Sequence, residues 1–299
     1  MINKTFLVFL ILVVAVMLIA LACQPAPPNS GTSSTTTSTT RPPATTTSVP
    51  SAGSNTENIQ TILDNVGRID ITQPVVSNGT IKPPAGSTIN FLFDGELIRD
   101  SSATRAAVDV SEPNVTINNL KVRGSNPCAF TYTQLGRPAA FGQMYSRYEP
   151  TKEEQAALYT RDGARNLRVN GVTANDVWGD AVTFLGGEDM KVTNVNGRCL
   201  GRSGVSVVSG SDIEVTGGSI SGAFWWGLNI EPNTPSRSVS NVKLTGMNVG
   251  FTRYPWLSAT GPDFNCQVFN VDARGNSLQP GIANTGVTIR GCVAGQIRY

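Results

Sequence analysis

The stretch that decides the fold is NLRVNGV at residues 166–172, because it returns as DMKVTNV at 189–195, DIEVTGG at 212–218 and NVKLTGM at 241–247. Each copy alternates polar with apolar and then gives way to small or polar residues. The apolar anchors Leu167, Met190, Ile213 and Val242 are 23, 23 and 29 positions apart. NVTINNL from Asn114 and GVTIRGC from Gly286 extend the pattern at looser spacing. A second alternating segment stands before several of these copies: DAVTFLGG from Asp180, GVSVVSGS from Gly204 and GLNIEPNT from Gly227. Alternation with period two marks strands. Short strands separated by Gly, Ser and Asn leave no length for crossover helices, so the pattern predicts an all-β parallel solenoid of about 23 residues per coil. An antiparallel sandwich also uses many short strands, but near-identical segments recurring at one interval favour the solenoid.

These coils resemble the right-handed parallel β-helix of the pectate-lyase superfamily across residues 57–299. ENIQTILDNVGRIDI from Glu57 and GTIKPPAGSTINF from Gly79 are similar to that family's N-terminal capping helix and first coils. Ile59, Ile62, Leu63 and Val66 fall at helical spacing for one apolar face.

Outside the repeats the chain changes character twice. Residues 1–23 carry one early charge, Lys4, then an apolar run from Phe6 to Ala22, a secretory signal pattern. The run ends Ala20-Leu21-Ala22-Cys23, which resembles the lipobox of bacterial lipoproteins and implies lipidation at Cys23; an uncleaved membrane anchor is the alternative. Residues 24–55 are rich in Ser, Thr and Pro and poor in large apolar side chains, so they are expected to stay disordered as a tether. Held extended by proline, that tether would reach on the order of 100 Å. Residues 56–299 form the β domain. The expected location is the extracellular face of the cell envelope, attached to membrane through lipid.

Composition removes several chemistries. The chain has no histidine, which excludes a histidine base, a histidine metal ligand and a Ser-His-Asp triad. A net charge of +2 without a basic cluster argues against nucleic acid. Beyond Cys23 stand Cys128, Cys199, Cys266 and Cys292, none in a C-x-x-C pair; an exported chain points to disulfides, for which three pairings are open, and a tie across the C-terminal coils favours Cys266–Cys292 with Cys128–Cys199. No metal site and no cofactor motif is found, and a monomer is expected.

Two stretches break the period: residues 125–155 and residues 251–281. Such insertions wall a groove or cover exposed core. Aligning Leu158, Val182, Val205 and Leu228 as inward positions places Gln155, Gly179, Arg202 and Trp225 three residues earlier, and Ala156, Asp180, Ser203 and Trp226 two earlier. Asp180, Arg202 and the Trp225–Trp226 pair then form one lateral row, flanked by Glu153 and Glu154. Indoles stack on sugar rings while Asp and Arg bind hydroxyls or acidic substituents, so the row predicts an extracellular polysaccharide as partner. At least one of the two tryptophans is expected in the core if the strand has already begun there, since adjacent strand residues face opposite sides; a glycan site needs at least one of them exposed. Glu231, in a column with Arg161, Leu185 and Val208, is a further candidate.

GDAVTFLGG resembles the G-D-D-x-V segment of polygalacturonases in the same superfamily. Asp180 matches that motif's second aspartate, but Gly179 replaces the first, and Ala156 and Ser203 stand where those enzymes have another Asp and a His. An inverting hydrolase needs two carboxylates. Two classes remain open: an enzyme acting on polysaccharide, with Asp180, Arg202 and Glu231 as catalytic candidates and Trp225, Trp226 and Glu154 binding substrate, or a non-catalytic adhesin or glycan-binding module using the same row.

Overall fold

The computed structural model describes residues 56–127, 149–232 and 237–249, and the backbone of four short strands beyond them, Val268–Phe269, Asn284–Thr285, Thr288–Arg290 and Val293–Ala294. The signal stretch, the tether, Cys23, Cys128, Cys266, Cys292 and most of both period-breaking stretches lie outside the described residues. So do the expected cysteine pairings, except that Cys199 itself is disulfide-bonded.

After the helix Thr56–Val66 the described residues are mostly strands, with one short 3-10 turn at Pro150–Lys152, and every strand pairing among them is parallel. The strands belong to one curled sheet, so the fold is all-β. The long strands Arg165–Asn175, Val182–Arg198, Val205–Ser221 and Val239–Val249 pair in chain order. Their register puts Leu167 on Met190, Met190 on Ile213 and Ile213 on Val242, as the repeat spacing predicts. Two residues along, Ile69, Ile89, Ile117, Val169, Val192, Val215 and Leu244 stack in a second buried column. A third column joins Val108, Leu158, Val182, Val205 and Leu228. Each rung thus repeats the same inward side chains about 4.8 Å above the last, and all three columns merge into one apolar core.

What lets the chain curl is a left-handed residue at the head of each repeat. Asn114, Asn166, Asp189, Asp212 and Asn241 have φ of 61°, 51°, 50°, 53° and 49°. Asn and Asp tolerate this region better than other side-chain-bearing residues. One such residue swings the strand through a corner without ending it, so the ladder continues on the next face. Their side chains then stack: Asn166 Nδ2 donates to Asn114 Oδ1 at 2.8 Å, and Asn241 Nδ2 donates to Asp212 Oδ1. A second corner is built by Asn119, Gly171, Asn194, Gly217 and Gly246, again all at positive φ. Replacing Asn166 with Val should therefore cost about 1–2 kcal/mol, because a β-branched residue is forced left-handed, whereas Asn166→Gly should lose little. Urea unfolding midpoints of the two variants measure the difference; equal losses would mean the corner conformation is not what Asn166 supplies.

The helix stops the first rung. Ile59 and Leu63 are buried in the same core as Ile69 and Ile71, and Ile62 packs partly against it. Val66 departs from the expected apolar face. It is 37% exposed, because the helix ends there and Gly67, at φ 70°, donates its N–H to the Leu63 carbonyl at 2.8 Å and turns the chain away. Gln60 fixes the helix to the neighbouring turn: its amide donates to the Lys82 carbonyl and accepts from the Lys82 N–H, both at 2.8 Å.

Candidate functional site

The site grows from the third column. In Leu158–Thr160, Val182–Arg198, Val205–Ser221 and Leu228–Ile230, the residue after each inward anchor points out of the sheet. These residues are Tyr159, Thr183, Ser206 and Asn229, joined in register. Outward positions are ordinarily wet, yet all four are buried. The Ser206 hydroxyl, and that of Ser203 in the turn before it, have no hydrogen-bond partner among the described residues. A phenol, two hydroxyls and an amide therefore form a covered polar row.

Immediately before these strands, backbone bonds tie the rungs as the sequence alignment predicts. Gly179 N–H donates to the Gln155 carbonyl at 3.0 Å, Arg202 N–H to Gly179 at 3.2 Å and Trp225 N–H to Arg202 at 2.8 Å. Asp180 is fully buried and both its oxygens are engaged. Oδ1 accepts the Ser203 N–H at 2.7 Å and Oδ2 accepts the Thr183 hydroxyl at 2.7 Å. Arg202 Nε lies 3.9 Å from Oδ1, with side-chain exposures of 23% for Arg202 and 0% for Asp180. This is a half-buried pair on a buried carboxylate, not a surface ion pair.

The charges settle what each group can do. Asp180 pushes the Arg202 guanidinium above its ordinary range, with Tyr159, Glu153 and Glu231 adding to the effect and burial opposing it. Arg202 is consequently a fixed cation and a poor candidate for a proton-abstracting base. Burial first, then Asp180 and Glu154, push the Tyr159 phenol up; Arg202 and the bond with Thr183 pull the other way. Tyr159 stays a neutral hydroxyl across physiological pH.

Trp225 and Trp226 precede the strand, so the condition that would send one of them into the core is not met. Both are half-buried and neither is a core residue, since the strand begins only at Leu228 and the alternation of faces does not yet apply. Their rings stack at 5.5 Å and 29° between planes, and Phe224 meets Trp225 edge-on at 5.0 Å and 89°. Three consecutive aromatics make a continuous partly exposed surface beside Arg202.

The other candidates sit further off. Glu231 Oε2 accepts from Asn229 Nδ2 at 2.9 Å, which ties it to the end of the buried polar row. Its expected column is shifted: a bulge after Val207 pairs Leu185 with Ser209, so Val208 drops out of line. Glu154 is half-buried and paired with Arg105. Gln155 is wholly buried, donating to the Ala103 carbonyl at 2.6 Å, and so serves the turn. At the far end, Arg161 grips Asp109 through Nε and Nη2 at 2.9–3.1 Å and lies over the Tyr159 ring at 5.3 Å.

Sequence reasoning found Asp180, Arg202 and the indoles by counting back from the anchors. It missed Tyr159, Thr183, Ser206 and Asn229, which one step forward in LYT, VTF, VSV and LNI would have found. No protein-family model, curated protein or solved structure matches the chain.

Proposed function

We propose that the chain is a right-handed parallel β-helix of pectate-lyase type, held at the outer face of the cell envelope by lipid on Cys23, and that it recognises an extracellular polysaccharide without cleaving it. The handedness rests on the near-universal right-handed crossover between parallel strands. The all-parallel ladder, its 23-residue interval and the left-handed corner residues support the architecture. The tether at 24–55 would let the domain stand off the membrane by on the order of 100 Å.

Recognition rests on one observation above all: a stacked, half-exposed indole pair on the rung next to a cation whose charge a buried carboxylate fixes. The indole faces take the CH surface of a sugar ring, and Arg202 takes a hydroxyl or an acidic substituent. Catalysis fits this geometry less well. Asp180 is enclosed with both oxygens occupied, so it orients Arg202 and does not meet substrate. Beyond Asp180, the described carboxylates whose charges act on Arg202 are Glu153 and Glu231; hydrolysis needs two separate carboxylates flanking one scissile bond, and Glu231 is already tied to Asn229.

Trp225→Ala should weaken binding to the cognate polysaccharide by about 1–3 kcal/mol and leave the unfolding free energy within about one kcal/mol of the parent, since the ring is not in the core. Affinity gel electrophoresis against a panel of neutral and acidic polysaccharides reads the first and urea unfolding the second. Unchanged affinity in the variant would remove the site. Release of reducing or unsaturated sugar ends by the parent, lost in Glu231→Gln, would replace recognition with an enzymatic reading.

A further inference from the structure

A different part of the surface carries features that the fold does not require. Phe93 is 83% exposed, the largest exposure among the large apolar side chains described, and its φ is 52°. It occupies the first central position of a turn closed by the Gly95 N–H donating to the Leu92 carbonyl at 2.8 Å. Turns of positive φ take Gly, Asn or Asp at that position, and a bulky residue there is strained. Here Asp94 stands one place later and the phenylalanine takes the strained one. With the ring 83% exposed it buries little, so the strain has little return in stability; strain of this kind concentrates where a surface has work to do.

Beside the ring lies an open groove of about 520 Å³, within the range of small-ligand sites. Its lining includes Lys121, Asn170, Thr173, Thr193, Asn194 and Asn196, with no carboxylate. Two left-handed corner residues, Asn119 and Asn194, and Gly171 between them in the ladder shape its floor. Lys121 Nζ donates to the Phe93 carbonyl at 2.6 Å, so the cation is directed to the turn that presents the ring. Amides and hydroxyls that both donate and accept suit paired sugar hydroxyls, and the lysine of the lining is already taken up by the Phe93 carbonyl. One exposed aromatic face supplies the stacking platform.

We propose that this groove is a second carbohydrate site, taking a neutral oligosaccharide segment with one sugar ring stacked on Phe93. It does not depend on the tryptophan row, which lies on another column of strands. Two such sites on one rigid scaffold would raise avidity for a repeating polymer.

The test uses the full-length lipid-free chain, with soluble β-glucan, mannan and xylan as probes in affinity gel electrophoresis. Phe93→Gly should reduce affinity for at least one probe by about tenfold, while Tm stays level or rises, because glycine relieves the positive φ. Phe93→Trp should keep most of the affinity. The proposal is overturned if the parent binds none of the three probes, if Phe93→Gly binds them all as the parent does, or if its Tm falls, since that would give the ring a structural role. Loss in Phe93→Gly with Trp225→Ala unaffected upholds this groove and removes the row; the converse removes the groove and leaves the row standing.

Discussion

Asp180→Ala is expected to lower the unfolding free energy by about 3–5 kcal/mol, the range for breaking a buried charge pair by removing one partner. Three groups lose their acceptor together. The Ser203 N–H is left buried and unpaired, worth about 1–3 kcal/mol when orphaned, the Thr183 hydroxyl keeps only its bond with Tyr159, and Arg202 keeps its charge at a largely covered position. The losses overlap, which is why the total is not their sum. Asp180→Asn should cost less, because an amide oxygen still accepts one bond while its NH₂ opposes a second donor. Equilibrium urea unfolding of both variants decides the matter. A loss below about 1 kcal/mol for the alanine variant would mean that the turn relaxes around the missing group, and that Arg202 is not held where the recognition site needs it.

Phe184→Ala is expected to cost about 3–5 kcal/mol for a different reason. Phe184 is fully buried and is the largest member of an inward column that runs Thr160, Phe184, Val207, Ile230. In most cores the neighbours of a deleted ring partly collapse into the space. Here the rungs above and below are fixed at the ladder spacing by parallel hydrogen bonds, so the cavity has little freedom to close. Thermal unfolding should show a midpoint lower by on the order of 10 °C, with Phe184→Leu recovering most of it. A loss near 1 kcal/mol would show that the stack compresses more readily than its register implies.

Both effects come from rungs that the sequence makes easy to recognise, and the contrast with what it hid is instructive. Leu167, Met190, Ile213 and Val242 were legible because period-two alternation reports directly which side chains face inward. The same alternation says nothing about whether an outward position is wet. Tyr159, Thr183, Ser206 and Asn229 read as surface residues and are buried, since the cover over a strand comes from elsewhere in the chain. The Asn or Asp heading each repeat was visible as a polar letter; its meaning as a left-handed corner needed backbone angles. For Trp225 and Trp226 the residue pattern leaves the start of the strand open; it begins only at Leu228, so the alternation of faces does not reach them. The bulge after Val207 likewise moves Val208 out of column without leaving any mark in the residue pattern.

A parallel ladder whose rungs all match has no intrinsic length. Its last rung offers the same hydrogen-bonding groups as its first, which is the geometry by which fibrils elongate. The helix Thr56–Val66 gives this stack a beginning: by seating Ile59 and Leu63 against Ile69 and Ile71, it occupies the apolar face that an incoming chain would otherwise complete. Growth from that end is blocked by shape and not by charge. In polymer terms the helix is a chain terminator carried in the monomer, so a scaffold built like a filament is kept to the length of one molecule at the end where its helix sits.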